Sequence, residues 1–161
     1  METKPFNGTR LGIVGGLFTA LALIVYFLIM LWAGLAHITE FRLFNFVILF
    51  FGIFWTMRRQ NDDSGHTIPY FDALAGGCIA VLTAVGIFSV FMLIYLSLDP
   101  YMMAAIRHHA MGGEYLTPTT SAIGVFMEGF SSGMIMAYVF LSWADIRQNA
   151  PKHEHKGLTK H

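Results

Sequence analysis

Four long apolar runs, separated by short polar segments, dominate the chain. They cover residues 11–36, 43–57, 70–98 and 119–143. A helix rises about 1.5 Å per residue and the hydrocarbon core of a membrane is about 30 Å thick, so about 20 apolar residues suffice to cross it. The second run is shorter than this, but the side chains of Arg42 and Arg58 at its ends can reach the membrane interface and extend it. The pattern predicts an all-α integral membrane protein, a four-transmembrane-helix bundle.

This bundle is expected to occupy residues 1–147, followed by a polar tail over residues 148–161. Between the third and fourth runs, Asp99-Pro100 has the pattern of a helix cap followed by proline at the first helical position. A short helix is therefore predicted from Pro100 to Met111, ending at Gly112-Gly113. An apolar face of this kind is typical of an interfacial helix, here on the outer membrane surface. Its members are Met102, Met103, Ile106 and Ala110.

The distribution of lysine and arginine predicts the orientation of the bundle. With four spans, the N-terminus, the middle loop and the tail lie on one side of the membrane. That side carries Lys4, Arg10, Arg58, Arg59, Arg147, Lys152, Lys156 and Lys160, whereas the other side carries Arg42 and Arg107. Basic residues concentrate on the cytoplasmic side of membrane proteins, so both termini are predicted to be cytoplasmic, with the protein in the cell inner (cytoplasmic) membrane.

Composition excludes several classes of protein. The chain is 55% hydrophobic and 12% charged, against about 25% charged residues in a typical soluble domain. Its formal net charge is zero, which provides no overall field to attract nucleic acid. Cys78 is the single cysteine, so neither an internal disulfide nor a cysteine-rich metal cluster is possible. The sequence has no glycine-rich nucleotide loop after a strand and no Ser/His/Asp set that can be placed together, so we expect neither enzyme activity nor a cofactor.

Glu128 is the most unusual residue of the fourth run, because it lies near the middle of an otherwise uncharged segment. Hydrocarbon offers a carboxylate no water, so the other helices are expected to pack around this one and supply a partner. In one interpretation the carboxyl is structural and bonds to polar groups of a neighbouring helix. In the other it is a proton- or cation-responsive carboxylate of a small oligomeric transporter or channel. The polar path of that transporter would also include Ser131, Ser132 and Asn45.

Small residues spaced four apart predict the faces along which helices approach closely. The pairs are Gly12/Gly16, Ala73/Gly77 and Gly129/Gly133. A bundle this small gains stability by association, so a homo-oligomer or a larger membrane complex is expected, with the lipid bilayer as the other partner. These faces, and the lack of a catalytic set, favour a non-enzymatic structural or accessory subunit over a transporter.

The histidines do not predict a native metal site. His108 and His109 are adjacent, so on a helix they point about 100° apart, whereas ligands spaced four apart share an ion readily. His37 lies on the same outer side, and a three-imidazole site would require the outer loops to meet. The remaining candidates, His153, His155 and His161, are on the tail.

A set of short motifs in the middle of the chain carries a family resemblance. In order they are Gly52-Ile53, Arg58-Arg59, Gly65, Ile68-Pro69-Tyr70-Phe71-Asp72-Ala73-Leu74, Gly76-Gly77 and Asp99-Pro100. This order resembles a family of small four-helix inner-membrane proteins, found mostly in Bacteroidota, whose function is unknown. The resemblance extends over roughly residues 8–147 and implies the four-helix architecture. It implies no activity, substrate or catalytic residue.

Overall fold

The structure is a computed structural model that describes residues 8–34, 42–64, 70–109 and 113–149. These residues form five α-helices: α1 (Gly8–Trp32), α2 (Arg42–Ser64), α3 (Tyr70–Leu98), α4 (Pro100–His109) and α5 (Pro118–Asn149). A short 3₁₀ turn, Gly113–Tyr115, precedes α5. No strand occurs within these ranges, so the predicted all-α class is confirmed. His37 and the part of the predicted tail from residue 150 onward lie outside the described residues.

Local backbone geometry ends α1 before its apolar run ends. The run continues to residue 36, but the helix stops at Trp32 because Gly34 takes a left-handed conformation with φ of 69°. In this conformation the N–H of Gly34 donates to the carbonyl oxygen of Leu31 at 3.0 Å. Glycine adopts a positive φ without steric cost, which is why it commonly follows the last turn of a helix.

Side-chain caps fix the starts of α4 and α5. Asp99 Oδ1 accepts hydrogen bonds from the N–H groups of Tyr101 at 3.0 Å and Met102 at 3.1 Å, so the predicted cap of α4 is confirmed. At α5 the N–H of Thr120 donates to Thr117 Oγ1 at 3.2 Å. The N–H of Thr117 donates in return to Thr120 Oγ1 at 2.8 Å. Both caps provide acceptors for N–H groups at the start of a helix, which have no carbonyl partner within the helix.

The centre of the bundle is α3, which packs against α1, α2 and α5. In the most apolar window of α3, 44% of residues are buried, against 11% in that of α5. The expectation that the other helices surround the last one is therefore wrong. The physical reason is that small residues let the other helices come close to α3: the carbonyl oxygens of Gly76 and Ala80 lie against α1, and Gly77 faces α5. Close contacts show that α1 and α3 run in one direction and α2 and α5 in the other.

Two apolar clusters fill the interior. The first joins α2, α3 and α5 and contains Leu49, Ile53, Val81, Ala84, Val85 and Ala137. The second joins α1, α3 and α4 and contains Leu23, Phe88, Met92, Leu96 and Met103, with Met102 and Ile106 packed against it. The apolar face of α4 that was expected along the membrane surface therefore packs onto the end of the bundle. Its opposite side exposes Tyr101, Arg107 and His108.

Three helices are long and apolar enough to cross a membrane, which indicates a membrane protein. They are Gly8–Trp32, Ala73–Leu98 and Pro118–Ser142. Within the part of the chain that the structure describes, α2 is not among them. Its C-terminal half contains Arg58, Arg59 and Gln60, which lower its mean hydropathy.

Candidate functional site

Glu128 lies on the outward side of α5, where its side chain is exposed. The next residue, Gly129, packs on Val85 of α3, since a methyl group built on this glycine would come 3.0 Å from Val85 Cγ1. Val85 is near the middle of α3, so Glu128 lies near the mid-height of the bundle. The carboxyl group therefore faces the surroundings of the bundle near its mid-height.

The structure separates the polar residues that were expected to line a path with Glu128. Ser131 is also exposed on α5. Ser132 is half-buried, and its hydroxyl donates to the carbonyl oxygens of its own helix, at 2.8 Å to Glu128 and 3.1 Å to Gly129. Asn45 is half-buried on α2, and its Oδ1 has no hydrogen-bond partner among the described residues. Only Ser131 shares the outward face of Glu128.

The contact between α1 and α3 is a contact between backbones. A methyl group built on Gly12 would come 2.6 Å from the carbonyl oxygen of Gly76. One built on Gly16 would come 2.7 Å from the carbonyl oxygen of Ala80. Both distances are far below van der Waals contact, so neither position has room for any side chain.

Along the contact between α3 and α5, the distance from a methyl group built on a glycine to the facing helix varies from one glycine to the next. A methyl group on Gly133 would come 2.6 Å from Val81 Cγ1, and one on Gly129 would come 3.0 Å from Val85 Cγ1. A methyl group on Gly77 would meet Ala137 Cβ at 3.4 Å, which is an ordinary contact distance. Ala73, the other small residue predicted on this helix, is half-buried.

The closest approach of α1 and α2 is a reciprocal pair of glycines and threonines that we call the Gly–Thr joint: Gly15, Thr19, Gly52 and Thr56. A methyl group built on Gly15 would overlap the side chain of Thr56, and one built on Gly52 would overlap the side chain of Thr19. Both threonines are buried, and each hydroxyl donates to the carbonyl of the glycine four residues before it, at 2.8 Å in α1 and 2.7 Å in α2. Each polar group is thus satisfied within its own helix.

A pattern of small residues repeated at a spacing of four does not include this joint, so the joint was not predicted from the sequence. The signal was present as glycine followed four positions later by threonine, which occurs in both helices. Threonine is suited to this position because its hydroxyl can return to the preceding turn of the helix.

A buried amide extends this packing to the end of the bundle where α1 begins. Gln60 of α2 is 1% exposed, and its side chain occupies the space that a methyl group on Gly76 would need. Its Nε2 donates a long hydrogen bond of 3.4 Å to the carbonyl oxygen of Gly8, while Oε1 has no partner among the described residues. Gln60 therefore links the N-terminus of α1, the C-terminal half of α2 and the start of α3.

Asp99 holds the connection from α3 to α4. Its Oδ2 accepts a hydrogen bond from the Tyr95 hydroxyl at 2.9 Å, in addition to the backbone bonds that cap α4. The backbone N–H of Met102 and the hydroxyl of Tyr95 stabilise the carboxylate, and they lower the pKa of Asp99 below its ordinary value.

Of the three histidines predicted on the outer side, the structure describes the side chain of His108 alone. His108 is exposed on α4, whereas the side chain of His109 and the whole of His37 lie outside the described residues. Across those that are described, no three His, Cys, Asp or Glu side chains group so as to hold a metal ion.

Family models, curated proteins and solved structures give no match to this chain. The resemblance to a small four-helix membrane family therefore stays a prediction, and the function has to be inferred from the geometry.

Proposed function

We propose that the protein crosses the inner (cytoplasmic) membrane four times, as a multi-pass bundle with both termini in the cytoplasm. Three helices have the length and composition of membrane spans. The fourth span would be α2, which packs along α1, α3 and α5 and therefore lies in the same layer. Its exposed side carries large apolar residues, among them Leu43, Phe44, Val47 and Phe51, as lipid contact requires.

The placement of arginines supports the orientation. The bond between Gln60 and Gly8 brings the start of α1 and the end of α2 to one end of the bundle. Arg10, Arg58 and Arg59 are exposed at that end, which supports a cytoplasmic location for it by the positive-inside rule. Arg107 lies at the other end, which also carries the exposed aromatic side chains of Trp32, Tyr101 and Tyr115 that suit a membrane interface.

Cysteine labelling tests this topology. In a Cys78→Ser background, a Tyr101→Cys variant should react with a membrane-impermeant maleimide in intact cells. An Arg58→Cys variant should react only after the membrane is permeabilised. The reverse pattern would invert the proposed orientation, and labelling of both variants in intact cells would exclude four spans.

Within this topology we propose a non-enzymatic structural or accessory subunit, which acts by lateral association in the membrane. The observation that carries this proposal is the outward placement of Glu128, together with Ser131, near the mid-height of α5. Exposure of a carboxyl group to hydrocarbon at this height would cost free energy, and contact with another protein would lower that cost. The same observation counts against the transporter alternative, because these two side chains do not line the interior of one bundle.

Extraction in mild detergent tests the proposed function. Native mass measurement and mass spectrometry of the purified particle should find either a stable larger partner or a defined homo-oligomer. A particle that contains a single copy of this chain alone, at low detergent concentration, would contradict an accessory or structural role. A flux assay on reconstituted protein, comparing wild type with Glu128→Gln, would then test transport.

A further inference from the structure

We draw no further inference here: the strongest candidate, the patch of Arg10, Arg58 and Arg59 exposed at the end of the bundle where α1 begins, is followed in the last turn of α2 by Asp62 and Asp63, which offset its charge, and nothing in the structure shows that an anionic partner covers it.

Discussion

The Gly–Thr joint and the outward side of α5, which carries Gly124 and Glu128, use small and polar residues in opposite ways. In the joint, Gly15 and Gly52 are each covered by a threonine of the facing helix, and the space beside them is full. On the outward side of α5, a methyl group built on Gly124 would meet no atom of a neighbouring element within 4 Å. A small residue in a membrane helix therefore marks a possible close contact, and the structure decides whether this chain or another one fills it.

The polar groups of the joint are buried, whereas those on the outward side of α5 are exposed. The hydroxyl groups of Thr19 and Thr56 return to carbonyl groups of their own helices, so the joint is closed in hydrogen bonding as well as in space. Glu128 and Ser131 are exposed on the outward side of α5. The joint is filled within one copy of the chain, whereas the outward side of α5 faces the surroundings of the bundle.

Enlarging a joint glycine should have the largest effect. Gly15→Val and Gly52→Val should each lower the free energy of unfolding by an amount at the upper end of about 1–3 kcal/mol, because the facing threonine occupies the space of the new side chain. The measurement is unfolding of the purified protein by SDS in mixed micelles.

Gly124→Val is the matched control for this prediction. It adds the same side chain to the same type of helix, but in open space, so the free energy of unfolding of one copy should change by less than about 0.5 kcal/mol. If Gly124→Val destabilises the single copy as much as Gly15→Val does, the contrast between a filled and an open glycine is wrong.

The contact between α3 and α5 provides a graded comparison inside one copy. Gly133→Ala should cost about 1–2 kcal/mol, because the new methyl group would come 2.6 Å from Val81. Gly129→Ala should cost less, since its distance to Val85 is 3.0 Å. Gly77→Ala should be neutral or stabilise by up to about 1 kcal/mol, because 3.4 Å to Ala137 is ordinary contact and alanine favours the helix.

Thermal unfolding of the three variants under identical conditions tests the order. A common loss for all three would indicate that the cost comes from replacing glycine itself. The order Gly133, Gly129, Gly77 would indicate that it comes from the distance to the facing helix.

Local sequence was enough to predict the all-α class from the apolar runs and the capped start of α4 from Asp99-Pro100. Asp99 followed by proline is sufficient for a cap, whatever the rest of the fold does. The arrangement of the helices was not predictable in this way. Apolar runs look alike from every side, so the sequence did not distinguish the central α3 from the peripheral α5.

The candidate site, too, was only partly predictable from the sequence. Sequence alone singled out Glu128 by its charge, but its direction depends on which side of α5 packs on α3. Gly129 and Gly133 face α3, so their neighbour Glu128 turns outward. The Gly–Thr joint was missed because a threonine does not count as small until its methyl and hydroxyl groups are seen lying over a facing glycine.

Gln60 extends the closed packing of α1 and α2 and should have a smaller effect when it is replaced. Gln60→Met should leave the free energy of unfolding unchanged or raise it by up to about 1 kcal/mol, because it fills the same space and removes a buried carbonyl oxygen that has no partner among the described residues. Gln60→Ala is the contrasting variant and should destabilise, because it leaves a cavity beside Gly76. A clear loss of stability in Gln60→Met would mean that Oε1 has a partner.

The smallest expected effect is at Asp99. This residue holds the connection between α3 and α4. Its pKa is lowered by the N–H of Met102 and the hydroxyl of Tyr95, so its contribution to the stability of the cap is complete above the ordinary value of about 3.9. That contribution is lost as the pH falls further, through the lower pKa of the folded state. The amide signals of Tyr101 and Met102 should therefore shift together in an NMR titration as the pH falls below that ordinary value. Asp99→Asn keeps an oxygen that can cap the helix but cannot ionise, so these signals should no longer titrate. Titration of the same signals in Asp99→Asn would assign the pH dependence to another group.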